Sequence, residues 1–148
     1  MKYSTAAPGR IFVIRLEDGE ILHETLEQFA RDHAIRAATF NVLGGADTGS
    51  LLVVGPEDGR TPPPIVPMET VLRGVHEIAG TGTIFPNEQG EPVVHCHLVG
   101  GRQKSAVAGC IRRGVKVWHV MEVILVELLH SSGVRALDPA TGFELLQP

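Results

Sequence analysis

From Ser50 onward the sequence is a succession of short apolar runs rich in β-branched residues, broken at close intervals by glycine and proline. The runs are Ser50 to Val54, Met68 to Val75, His76 to Phe85, Pro92 to Val99, Ser105 to Arg112 and Lys116 to Leu129. Between them stand Gly80, Pro86-Asn87-Glu88-Gln89-Gly90, Gly100-Gly101-Arg102, Arg113-Gly114 and the proline-rich stretch Gly55 to Pro67. These breaks are too short for the crossovers that parallel strands need, so the strands must pair mostly antiparallel. Pro62-Pro63-Pro64 cannot sit in a central strand and reads as a stiff surface connection.

The first third is organised differently. Arg10 to Leu16 is a strand followed by the turn residues Glu17-Asp18-Gly19. From Glu20 to His33 the apolar residues Leu22, Leu26, Phe29 and Ala30 recur with the period of a helix lying on a core, and Glu24, Glu27, Arg31 and Asp32 take the wet face. Ala34 to Leu43 returns to a strand, which the sequence ends at Gly44-Gly45 and Asp47-Thr48-Gly49. A phosphate-cradling loop there would need a Gly-Lys-Ser/Thr and a helix, and neither follows. Gly142 to Leu146 forms a last short strand. One helix and many hairpin-linked strands define an α+β fold: a single domain, residues 1–148, with a predominantly antiparallel sheet and one main amphipathic helix. A chain of this length buries roughly two-thirds of its unfolded surface without staples.

Charge and cysteine content narrow the function. A formal net charge of −4 repels phosphate backbones, so nucleic acid is disfavoured as a direct partner; Arg112-Arg113-Gly114-Val115-Lys116 reads as solvated charge around a turn. The two cysteines, Cys96 and Cys110, form no Cys-x-x-Cys pair and imply no disulfide framework. Met1 to Arg10 holds no apolar run of signal-peptide length, and the apolar stretch Val117 to Leu129 is too short to span a bilayer. The expectation is a cytoplasmic protein with no membrane partner.

Of seven histidines, two stand apart. In Val93-Val94-His95-Cys96-His97-Leu98 the alternation of a strand places His95 and His97 on one face, about 6–7 Å apart, and Cys96 on the other. Two such imidazoles can converge on one ion. Pairing about a turn near 102–103 sets Cys110 opposite roughly 95–96, which makes it the favoured third ligand. His119 and Glu122, of opposite parity in the following strand, are the other candidates, as a fourth ligand or as an acceptor or base beside the metal. Imidazole with thiolate suits zinc. Three protein ligands leave a position for water or ligand; four close the site.

The strings Gly74-Val75-His76-Glu77-Ile78-Ala79-Gly80-Thr81-Gly82-Thr83-Ile84-Phe85, Pro92-Val93-Val94-His95-Cys96-His97, Ala108-Gly109-Cys110 and Val120-Met121-Glu122-Val123 resemble the plant- and prokaryote-conserved (PPC) domain family. Gly9-Arg10-Ile11-Phe12-Val13-Ile14-Arg15-Leu16 resembles its opening. The resemblance implies an α/β domain with a mainly antiparallel sheet that associates as a homotrimer, of the stand-alone prokaryotic type. Plant members carry AT-hook segments with the DNA-binding arginines; this chain has no Arg-Gly-Arg-Pro core, so that function does not transfer. The family's metal pattern is His-x-His followed on the next strand by Gly-Gly-His. His95 and His97 match the first part, and Cys110 stands where the third histidine would be. The leading expectation is a homotrimeric zinc-binding module that senses or binds a small ligand or protein without turnover. The alternatives are a small zinc-dependent hydrolase, with Glu122 or His119 shuttling protons, and a DNA-binding, transcription-associated protein.

Overall fold

The computed structural model describes residues 1–60 and 62–148; position 61, in the proline-rich stretch, lies outside the described residues. The elements run β1 (Ala7–Glu17), α1 (Leu22–Asp32), β2 (Ala38–Ala46), β3 (Leu51–Pro56), β4 (Pro67–Val71), β5 (His76–Pro86), β6 (Pro92–Arg102), β7 (Ser105–Cys110), β8 (Val117–Leu129), β9 (Val134–Asp138) and β10 (Phe143–Gln147). The first eight strands form one sheet in the order β1-β8-β2-β5-β6-β7-β3-β4, and every neighbouring pair in it is antiparallel. The expected α+β fold with a mostly antiparallel sheet and one helix is therefore what the chain adopts.

The two faces of this sheet have different chemistry because the side chains of a strand alternate. One face carries Leu16, Phe40, Val42, Ile78, Ile84, Cys96, Leu98, Met121, Val123 and Leu125, all buried, and α1 adds Leu22, Leu26 and Ala30 to the same core. The opposite, outer face leaves apolar side chains in the open: Val13 is 83% exposed, Ile11 66%, Leu43 56% and Val99 51%.

Three local readings change. Gly44-Gly45 does not end β2 but lies inside it, opposite a bulge in β8 where Gly44 faces Met121 and Gly45 faces Trp118. A Cβ on Gly44 would come within 2.8 Å of Met121 Cα, and one on Gly45 within 2.7 Å of the Trp118 carbonyl oxygen. The glycines are there for close backbone approach rather than for a turn. Gly80 likewise lies within β5, and Gly100-Gly101 within β6; the β6–β7 turn falls at Gln103-Lys104, with Arg102 paired to Ser105. Finally, the closing strand β10 pairs with β9, a strand the sequence reading omitted, and this hairpin packs over the end of β5 through an isolated bridge between Asn87 and Arg135.

Candidate metal centre

The centre is built on β6 and β7. Their two-residue turn fixes the register, so Cys110 faces His97 directly rather than the 95–96 region. Directly opposed residues of an antiparallel pair share a face. Cys110 therefore joins His95 and His97 on the outer face, and the ligand atoms of all three lie within 4.8 Å of one another. Cys96 points the other way into the core, where burial first, and Cys110 second, push its thiol up to about 12.

The imidazoles face each other nitrogen to nitrogen, with His95 Nε2 3.2 Å from His97 Nε2. Two zinc–nitrogen bonds of about 2.05 Å drawn across that separation would meet at about 103°, close to the tetrahedral angle. His95 is only partly exposed, and its pKa falls to about 4: burial is the main cause, then the positive Arg135, His97 and Arg112. A ring held neutral offers a free lone pair to a metal at ordinary pH. Geometry, protonation and the nitrogen–sulfur donor set all fit a zinc-type ion held by His95, His97 and Cys110.

The structure does not bring the other two candidates to this cluster. His119 and Glu122 follow β7 in sequence, but β2 and β5 intervene between β8 and β6 in the sheet. Three strand spacings amount to about 14 Å. His119 occupies the β8 bulge at φ 57°; its N–H donates to Asp18 Oδ1 at 2.7 Å and its ring packs on Trp118. Glu122 pairs with Arg15 and Leu43.

Sequence reasoning missed Arg135. Thr83 is the register partner of His95, so the two share the outer face. Arg135 Nη2 donates to Thr83 Oγ1 at 2.9 Å, and its guanidinium lies over the Phe85 ring. The residue is 5% exposed, and its Nε is buried without a hydrogen-bond partner. The available signal was an arginine inside the apolar run Val134-Arg135-Ala136-Leu137. On the other side of the centre, a groove of about 580 Å³ runs past His97, lined by Val53, Ala79, Thr81, Val99 and Ala108.

Sheet and site together define a class: small α+β domains with a histidine–thiol cluster on the open face of an antiparallel sheet. The chain belongs to the Plants and Prokaryotes Conserved (PCC) domain family, whose model matches residues 3–129. The β9–β10 hairpin lies beyond that span. The fold is shared with a PPC protein of Pyrococcus horikoshii, 23% identical, with 100% of this chain and 98% of that one covered at a TM-score of 0.85. A metal-containing protein from Archaeoglobus fulgidus aligns over 100% of both chains at 23% identity and a TM-score of 0.85. A candidate DNA-binding protein from Ralstonia eutropha JMP134 is 23% identical, with 100% of this chain and 94% of that one covered at a TM-score of 0.73. Among curated proteins, the chain matches the bifunctional protein GlmU of Synechococcus sp. (strain JA-3-3Ab) at 25% identity over 136 residues. That match takes in 90% of this chain but 20% of the relative, so the chain spans about a fifth of that protein's length.

Proposed function

We propose that this chain is a metal-binding module, with zinc held by His95, His97 and Cys110, that assembles as a homotrimer in the cytoplasm and binds a small ligand at the metal. The observation that carries it is the convergence of the three ligand atoms within 4.8 Å on one sheet face. Three protein ligands leave a fourth position for an incoming group, the arrangement of a ligand-accepting zinc rather than a closed structural one. The metal-containing relative from Archaeoglobus fulgidus supports the metal, and the apolar outer face supports association with further copies of the chain. No helix among the described residues is long and apolar enough to cross a membrane.

A hydrolase would need a general base at the metal, and the two groups proposed for it, Glu122 and His119, stand three strands away. A DNA-binding role has the Ralstonia relative in its favour, but a net charge of −4 opposes it, and Arg113 of the basic cluster is engaged by Glu69 at 2.7 Å. The binding module is therefore the reading retained. Native mass spectrometry tests it: the expected mass is three chains with about one zinc per chain. A metal-free monomer would overturn both parts.

A further inference from the structure

The cluster lies in a region of unbalanced positive charge. A zinc ion on two neutral imidazoles and one thiolate keeps one positive charge. Arg135 and Arg112 both act on His95 through space, and Arg112 also acts on Arg135. Among the described residues, no carboxylate forms an ion pair with either arginine. Glu144 acts on Arg135 through space, from an exposed position on β10. A buried guanidinium with an unpartnered N–H beside a cationic metal centre is costly unless an anion shares the site.

We infer that the fourth ligand of this centre is a small organic anion, a monocarboxylate whose oxygen takes the open metal position while its charge is balanced by Arg135. The carboxylate lies between the metal and the guanidinium, which Thr83 fixes on the face of His95. The arginine comes from the β9–β10 hairpin, beyond the span matched by the family model. The inference rests on the zinc reading above and adds the chemical class of the ligand.

Benzoate is a suitable probe, with neutral benzamide as its control, each titrated calorimetrically into zinc-loaded protein. The expected result is benzoate binding, no benzamide binding, and affinity for benzoate weakened at least about tenfold in Arg135→Gln, the loss of one charge-assisted contact. Zinc content should stay at about one per chain in that variant. Arg135→Lys, which keeps the charge, is expected to retain part of the affinity. Thr83→Val, which frees the guanidinium from its anchor without removing it, should weaken benzoate even if Arg135→Gln proves too unstable to purify. Equal benzoate affinity in parent and Arg135 variants, or equal binding of benzamide, would overturn the anion site while leaving the metal in place. A parent that holds no zinc overturns the metal reading and this inference with it.

Discussion

Gly82 offers a quantitative test of how the sheet brings the site together. It lies on β5 between Thr81 and Thr83, the register partners of His97 and His95, and its own partners are Phe40 on β2 and Cys96 on β6. A Cβ added there would stand 2.7 Å from Phe40 Cε1 and 2.8 Å from Cys96 Cβ, in a core where Phe40 is 1% exposed. Overpacking of this kind costs about 1–3 kcal/mol. The lost backbone freedom of the unfolded chain returns about 0.4–1 kcal/mol. Gly82→Ala is thus expected to destabilise by about 1–2 kcal/mol net. Phe40→Leu removes ring atoms from the same space and should cost about 1–2 kcal/mol by itself. If methyl and ring compete for one volume, the double variant regains at least about 1 kcal/mol relative to the sum, well outside the 0.3–0.5 kcal/mol scatter of independent sites. Urea unfolding followed by circular dichroism, at fixed protein concentration, measures the cycle. Additive losses would refute the steric account.

Acid sensitivity follows from His95. Its folded pKa of about 4 lies below the ordinary 6.5, so in metal-free protein the unfolded chain takes up a proton first, and stability present above 6.5 is lost as pH falls toward 4. A fully shielded ring would contribute about 3 kcal/mol; partial exposure reduces this to roughly 1–2 kcal/mol. His95→Gln should flatten that part of the curve in pH-dependent denaturation, and an unchanged slope would count against it. The two cysteines should separate cleanly. Cys96→Ser should cost about 1–3 kcal/mol by burying a hydroxyl in the core while zinc stays bound, and thiol reagents should leave native Cys96 untouched because its thiol is pushed up to about 12. Zinc loss in Cys96→Ser, measured by elemental analysis, would contradict the placement of the two thiols. Val13→Glu, on the open outer face, should dissociate the proposed homotrimer in analytical ultracentrifugation while leaving the monomer folded; a trimer unaltered by the substitution would move the interface elsewhere.

The strand pattern and the single amphipathic helix were legible because both are local: alternation and the helical period are written in consecutive residues. His95 and His97 were legible for the same reason. Their third partner depended on the register of one hairpin, and here a shift of a single position decides which face Cys110 takes. The sequence placed the turn near 102–103, whereas Gln103, at φ 56°, and Lys104 form it, and Cys110 therefore meets His97. Longer-range relations left no local trace. Nothing in the sequence says that β2 and β5 insert between β8 and β6, and that insertion is what separates His119 and Glu122 from His95, His97 and Cys110. Gly44-Gly45 looked like a turn because glycine serves turns and close approaches alike; only the bulge of β8 against it distinguishes the two. Arg135 reaches Thr83 across 52 residues from a hairpin whose first strand was not recognised.

The central claim is that His95, His97 and Cys110 hold a metal, and elemental mass spectrometry of protein purified without an affinity tag tests it most directly, with His95→Ala and Cys110→Ser prepared alongside. About one zinc per chain in the parent, lost in both variants while their circular dichroism stays that of the parent, is the predicted result. A parent without metal even after incubation with zinc, or variants that keep it, would contradict the account.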